Sequence, residues 1–435
     1  MKTRLHLLLF VISFLLSHTI VAQQPSEIRK LDSITISSTR IELPFKKNSR
    51  TITLISSEII QQSPATNLAE LLQQEAGIDV RRQGVNGMQA DLYIRGGSFD
   101  QTLLLIDGIK VEDPQTGHHT LNMALPLEVI ERVEIIKGPA ARVFGQNAFT
   151  GAINIVTKSK IDAVNSVSYK LGSYNQQQAS GTLGTQLKNS TLIGHASVNT
   201  SDGYRYNTDF ENQNYFVKGR INTAKNPVEI IGTFSERKFG ANQFYAVESG
   251  SDQYEETQSS LVGASTKFET EILKIAPRVY WKRNQDMYLY VRENPAVYRN
   301  LHLSNKVGMQ VNASYTSNAG ITGFGIDAAR VFMTSTNLGE RDRTMANLFV
   351  EHRFSLADNS LDITPGISVN YFSDFKFHAF PGVDIGYAIN DAFKAYANVG
   401  YTYRVPTYTD LYYVGRTDLG NANLEPEKAL SEELG

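Results

Sequence analysis

From residue 164 onward, apolar and polar positions take turns with a period of two. Val167, Tyr169 and Leu171 alternate with Ser166, Ser168 and Lys170; Val307, Met309, Val311, Ala313 and Tyr315 alternate with Lys306, Gly308, Gln310, Asn312 and Ser314. The same beat runs through Leu361, Ile363, Pro365, Ile367, Val369 and Tyr371, and again through Phe393, Ala395, Ala397, Val399, Tyr401 and Tyr403. Successive side chains of a strand point to opposite faces, so each run predicts a strand with one apolar and one polar face. About 13–14 such strands are predicted before the chain ends. Lipid outside and water inside would give this pattern; so would a soluble sandwich with its apolar face inward, and alternation alone does not separate the two.

The connections do separate them. Short turns at residues 188–190, 224–227, 317–318, 356–360 and 390–391 alternate with longer links at 200–214, 236–258, 284–301 and 334–341. One rim of tight turns and one of long loops fits a membrane-embedded barrel, whereas a sandwich has no reason to segregate loop lengths.

Before residue 164 the texture differs. Short apolar runs are each closed by glycine: Leu92-Tyr93-Ile94-Arg95-Gly96-Gly97, Leu103-Leu104-Leu105-Ile106-Asp107-Gly108, Ile130-Glu131-Arg132-Val133-Glu134-Ile135-Ile136-Lys137-Gly138-Pro139, and then Gly151-Ala152-Ile153-Asn154-Ile155-Val156-Thr157-Lys158. These are small strands ended by tight turns. Thr66 or Asn67 can cap a helix in which Leu68, Leu71, Leu72 and Glu75 share a face before Gly77 ends it. The segment reads as a small mixed α/β globule with two polar loops, at 84–88 and 112–122.

Composition narrows the function classes. Among 435 residues, 41% are hydrophobic, yet past the first two dozen no run is long enough for a membrane helix. Tyr 21 and Phe 21 against Trp 1 suit interfacial girdles of a barrel. A net charge of −2 gives no reason to expect nucleic acid. The absence of Cys removes disulfides, thiol nucleophiles and thiolate metal sites. Lys2 and Arg4 followed by an apolar stretch, with Ala22 before the cut, predict a secretory signal. No hydrolase phrase surrounds the histidines, so an enzyme is not expected and no catalytic residue is assigned.

The glycine-closed phrases, in this order and spacing, resemble the plug domain of TonB-dependent outer-membrane receptors, in the cobalamin and siderophore branch. The resemblance implies a small mixed α/β plug followed by an antiparallel transmembrane β-barrel. The division expected is a signal peptide at 1–22, a periplasmic segment with the TonB box at 23–48, the plug at 49–158 and a partial barrel at 159–435. A barrel holding a plug needs about 22 strands, so the sequence is read as C-terminally truncated. The function implied is high-affinity uptake of a scarce solute, such as a ferric siderophore or cobalamin, across the outer membrane of a Gram-negative bacterium. An outer-membrane receptor with a signalling or adhesion role and no transport is the alternative.

The same resemblance implies the partners and their contact residues. Asp32, Ser33, Ile34, Thr35, Ile36 and Ser37 fall where a TonB-like periplasmic energy-transducing protein would pair with the chain. Asn86, Met88, Gln115, Thr116, His118, His119 and Asn122 fall at the plug apices beneath the siderophore or cobalamin-like ligand. Arg95, Glu131, Arg132, Glu134 and Lys137 match the charged set between plug and barrel. The remaining partner is outer-membrane lipid. No cofactor or metal is expected: His118 and His119 are adjacent, and neighbouring side chains on an extended chain point to opposite faces. Tyr204, Tyr206, Phe244, Tyr245, Tyr288, Tyr290 and Tyr298 in the long loops are candidates for stacking on a flat ligand.

Overall fold

The structure is a computed structural model that describes residues 34–36, 41–84, 88–123, 125–160, 165–222, 226–245, 252–390, 392–416 and 418–435. The signal peptide expected at 1–22, and Asp32, Ser33, Ser37 and Asn86 among the expected contact residues, lie outside the described residues.

The first third builds β1 (Thr35–Ile36), β2 (Leu43–Pro44), β3 (Ile52–Ser56), α1 (Ser57–Gln62), α2 (Leu68–Gln73), β4 (Ile78–Gln83), β5 (Gln89–Ile94), β6 (Thr102–Ile106), β7 (Ile109–Lys110), β8 (Ile130–Lys137), α3 (Ala141–Phe144) and β9 (Gly151–Thr157). Strands β3-β8-β9-β6-β7 form one sheet, with β6 and β9 parallel, while β4 pairs β5 and β1 pairs β2. Local chemistry sets the breaks. The Ser56 side chain accepts from the Ile59 amide and Asn67 from the Glu70 amide, satisfying donors that each helix start leaves free. At the β6–β7 turn, Asp107 and Gly108 both take positive φ, 47° and 77°, and the Asp107 carboxylate accepts from the Thr157 amide at 2.8 Å and its hydroxyl at 2.6 Å. The hairpin is thereby tied to the end of β9. Leu68, Leu72, Ile94, Leu104, Ile106, Val133, Ile135, Ile153 and Ile155 are fully buried in the core, and each such side chain contributes about 1.5–3 kcal/mol.

The rest of the chain is a wall: β10 (Ser166–Leu171), β11 (Gln177–Leu187), β12 (Ser190–Ser201), β13 (Phe210–Ile221), β14 (Val228–Gly240), β15 (Tyr254–Thr266), β16 (Phe268–Glu269), β17 (Leu273–Leu289), β18 (Arg299–Ser317), β19 (Gly320–Ser335), β20 (Gly339–Leu356), β21 (Leu361–Phe372), β22 (Lys376–Ala388), β23 (Lys394–Arg404) and β24 (Glu427–Leu434), with α4 (Tyr408–Tyr412) between the last two. They make one antiparallel sheet of 15 strands in chain order, β16 adding only a short pairing to β17. Its end strands β10 and β24 do not pair with each other among the described residues.

Burial decides which way the wall faces. On β20, Leu348 is 62% and Val350 46% exposed, while Asn347 and Glu351 on either side of the pair are buried at 5% and 7%. On β18, Val307 and Met309 are exposed and Lys306 and Gln310 buried. Apolar-out and polar-in is the reverse of a sheet folded in water and matches a wall standing in lipid. The five short turns predicted all fall on one rim, between β11 and β12, β13 and β14, β18 and β19, β20 and β21, and β22 and β23. At the other rim the strands outlast the sequence pattern. The links expected at 284–301 and 334–341 shrink to 290–298 and 336–338, because strands of up to 19 residues run far past the roughly 9–11 that span a bilayer. The link after β23 carries α4, started by a reciprocal Thr407–Asp410 capping box.

Candidate functional site

The plug is held to the wall through buried charges. Arg142 in α3 is 4% exposed; its guanidinium donates to Glu351 of β20 at 2.6 Å and to Asp384 of β22 at 2.5 Å. Arg50 donates to the same Asp384 at 2.6 Å. Gly366 makes room for this head group: a Cβ there would stand 2.7 Å from an Arg142 nitrogen. Glu112 receives Lys306 of β18 at 2.6 Å, and Lys110 reaches Asp327 of β19 at 2.7 Å. Burial would raise the Glu112 carboxyl, but Lys306 and then Lys110 outweigh it and hold its pKa below the ordinary value. Lys218 of β13 meets Asp107 at 3.0 Å, and Arg404 of β23 bonds Asp100. Charges this deep persist only when paired, and breaking one pair strands its partner.

The expected charged set divides. Arg95 reaches the wall, donating to Glu433 of β24 at 2.8 Å, where the Thr51 hydroxyl also donates at 2.6 Å. Arg132 instead binds two plug carboxylates, Glu131 at 3.2 Å and Glu134 at 2.8 Å, and donates to the Thr35 carbonyl at 3.5 Å. Lys137 donates to the Ala76 carbonyl at 2.5 Å. These groups fasten β8 to the plug and to β1. In β1, Thr35 is exposed and Ile36 buried; Ile34 precedes them, and its carbonyl accepts from the Phe45 amide at 2.9 Å.

The expected apical residues gather at the opposite end, most of them in residues 112–123. Gln115 donates to Asp286 of β17 at 3.0 Å, and Asp113 accepts from Asn284. His118 and His119 turn to different partners. His118 sits 2.9 Å from Asp91 and stacks on Phe99 at 4.1 Å, whereas the His119 Nε2 lies 3.1 Å from Asp286 and its Nδ1 2.8 Å from the Asn122 amide. Burial alone would lower the His119 pKa, but Asp286 and then Glu255 of β15 raise it to about 9. Arg237 of β14 donates to the Asn122 side chain at 3.1 Å and to the Leu121 carbonyl at 3.1 Å. The Thr116 hydroxyl accepts from the His118 amide at 3.5 Å. Met88 is fully buried with Phe210, Phe239 and Ala241. Above them Phe244, Tyr245, Tyr288 and Tyr298 meet edge to face with centroids 5.3–6.3 Å apart, and Tyr204 and Tyr206 are exposed.

The wall partners Arg237, Asp286, Glu351, Asp384 and Glu433 were not singled out by sequence reasoning. The signal that marks them is an ionisable residue on the inner register of an alternating run.

Comparison with known proteins agrees with this architecture. A family model described as the TonB-dependent receptor plug domain matches residues 44–152, and one described as the TonB-dependent receptor-like β-barrel matches 148–435. The vitamin B12 transporter BtuB of Vibrio vulnificus (strain CMCP6) is 25% identical over 430 residues, 94% of this chain and 68% of the relative. BtuB of Vibrio cholerae serotype O1 (strain M66-2) is 30% identical over 181 residues, 41% of this chain and 30% of the relative. Among solved structures, the siderophore receptor PirA of Pseudomonas aeruginosa superposes with a TM-score of 0.72 at 17% identity, covering 88% of this chain and 70% of that one. The ferric enterobactin receptor PfeA gives 0.74 at 15% identity, covering 89% and 70%. At such identities the superpositions establish the shared fold.

Proposed function

Because the chain belongs to the TonB-dependent receptor family, whose barrels stand in the outer membrane of Gram-negative bacteria, we propose that it imports a scarce solute of the cobalamin or ferric-siderophore kind. The observation that carries this reading is a folded plug seated by buried ion pairs against a wall whose outer face is apolar. Within a wall closed round it, such a seat would block free diffusion. It can still be exchanged for water-mediated contacts, since each charged group keeps a hydration alternative once the plug shifts. Similarity to vitamin B12 transporters supports cobalamin as the first solute to test.

In this reading the solute binds above the loop that holds Gln115, Thr116, His118, His119 and Asn122, beneath the aromatic rings of the outer mouth. Rearrangement of that loop is transmitted through the plug to the N-terminal segment. A TonB-like protein pairs with the backbone around Ile34, Thr35 and Ile36 by strand addition. The pairing of β1 with β2 spans only Thr35 and Ile36, so little has to be surrendered to free it. No covalent chemistry is needed.

The test is binding and uptake of radiolabelled cyanocobalamin and of labelled ferric siderophores by cells producing the protein, with and without residues 34–36. Energy-dependent uptake of one solute, lost in the deletion while surface binding persists, is the expected result. Binding that never leads to uptake of any solute would sink the proposal.

A further inference from the structure

Three side chains from three separate parts of the chain converge where the apical loop meets the wall. His119 of the plug, Glu255 of β15 and Asp286 of β17 are all buried, and each places one ligand-capable atom within 4.8 Å of the other two. His119 Nε2 and Asp286 Oδ2 are 3.1 Å apart, close to the spacing of two donor atoms on one ion with bonds of about 2.0–2.2 Å. Two further oxygens have nothing to do: Glu255 Oε1 and Asp286 Oδ1 are buried without a hydrogen-bond partner among the described residues. An idle buried carboxylate oxygen is costly. The other oxygen of each group is already oriented, Glu255 by the Tyr245 hydroxyl at 2.6 Å and Asp286 by Gln115 at 3.0 Å.

We infer that His119, Glu255 and Asp286 form a binding site for a divalent first-row transition ion that stitches the apical loop of the plug to β15 and β17. One imidazole and two carboxylates make a donor set of the zinc or manganese kind, with hard and borderline ligands and no thiolate. The ion takes the place of the proton between His119 and Asp286, which is released to solvent, and offers the same carboxylates one more positive charge. The ring must then donate from Nδ1, and turning the Asn122 amide over puts its oxygen there; the flip gives up the bond from Arg237 to Asn122, so that N–H has to swing away from the amide nitrogen while Arg237 keeps the Leu121 carbonyl. This is the orienting bond that metal-bound imidazoles use. The site stands at the outer end of the wall, since Glu255 is the second residue of β15 and Asp286 is three before the end of β17. Metal occupancy would therefore set how firmly the loop beneath the mouth is held.

The experiment is calorimetric titration of Zn2+ into the detergent-solubilised, chelator-stripped protein, with X-ray absorption at the zinc edge on the loaded sample. Expected are saturable binding of one ion, an edge spectrum with oxygen and imidazole donors, and affinity weaker in Glu255→Gln and Asp286→Asn by more than the roughly 10–100-fold that loss of an outer-shell partner costs. Hydrogen exchange of amides 117–122 should slow when zinc is added. Unchanged circular dichroism shows that the variants fold, and the edge spectrum of the unmutated protein stands even if one of them does not. Equal affinity in folded variants, a spectrum without imidazole, or a thermal stability that rises in Glu255→Gln with no zinc binding to either protein would each overturn the inference. The last outcome would mark a cluster that shares protons only.

Discussion

Replacing Arg142 by methionine isolates what the buried clamp contributes. The side chain keeps an apolar stem but ends short of the guanidinium, so Glu351 loses its 2.6 Å partner and Asp384 loses one of two cationic partners, Arg50 remaining at 2.6 Å. Removing one member of a buried pair costs about 3–5 kcal/mol, mostly because the other is left charged and dry. Since Arg50 still serves Asp384, the loss falls chiefly on Glu351, and the low end, about 3 kcal/mol, is expected. That corresponds to about a 100-fold fall in the equilibrium constant for seating the plug. Hydrogen exchange reads it directly, through the amides of Phe144 and Gly145, which bond to Ala140 and Ala141 at the clamp. They should exchange about 100-fold faster in Arg142→Met, provided that opening there is local. The double variant Arg142→Met with Glu351→Gln should recover most of the protection, because the stranded charge is gone. If the double variant were as unprotected as the single one, uncompensated charge would not be the cause, and the account of the seam would fail.

Three further outcomes follow from other contacts. The depressed Glu112 pKa means that its bond to Lys306 contributes fully above the ordinary value of 4.5 and is lost as pH falls through the lower folded-state value; exchange protection of residues 109–113 should fall progressively as the pH is taken down from 4.5, and Glu112→Gln should remove that dependence. Leu348→Arg, at the middle of β20 on the lipid face, should destabilise the wall by about 2–4 kcal/mol, measured by urea titration in lipid vesicles, whereas Leu348→Ile should change little. Gly145→Ala should destabilise α3 docking by at least about 1 kcal/mol. Its φ is 80° and the added Cβ would stand 2.5 Å from Asn347 and 2.7 Å from Asn370, so accelerated exchange at Phe144 is the readout.

The plug was legible because its instructions are local. Ser56 and Asn67 cap the helices they precede, Asp107 and Gly108 write the β6–β7 turn, and Gly77 with φ 77° closes the segment after α2. The wall was legible in period but less so at its outer ends. There Asn284, Asp286 and Asn300 read as loop residues, yet they are inner-face positions of strands that continue beyond the lipid. The seam was hidden for a different reason. Arg142 and Asp384 are 242 positions apart, and periodicity reveals which face a residue takes without revealing what faces it. His119 shows this sharply, for its neighbour in sequence was the obvious partner, whereas Asp286 and Glu255 lie on strands of the wall.

The plug does not meet the wall in the same way all round. Along β12 to β17, Ile193, Phe216, Ile231, Leu261 and Tyr280 join its apolar core, with the pairs Lys218–Asp107 and His119–Asp286 set among them. Along β20 to β24, Glu351, Asp384, Arg404 and Glu433 meet it through ions. Water can stand in for an ionic partner but not for an oily one. If the N-terminal segment is pulled as proposed, the flank held by ions alone should flood first while the flank that shares the apolar core acts as a hinge, so that the plug swings ajar and falls back.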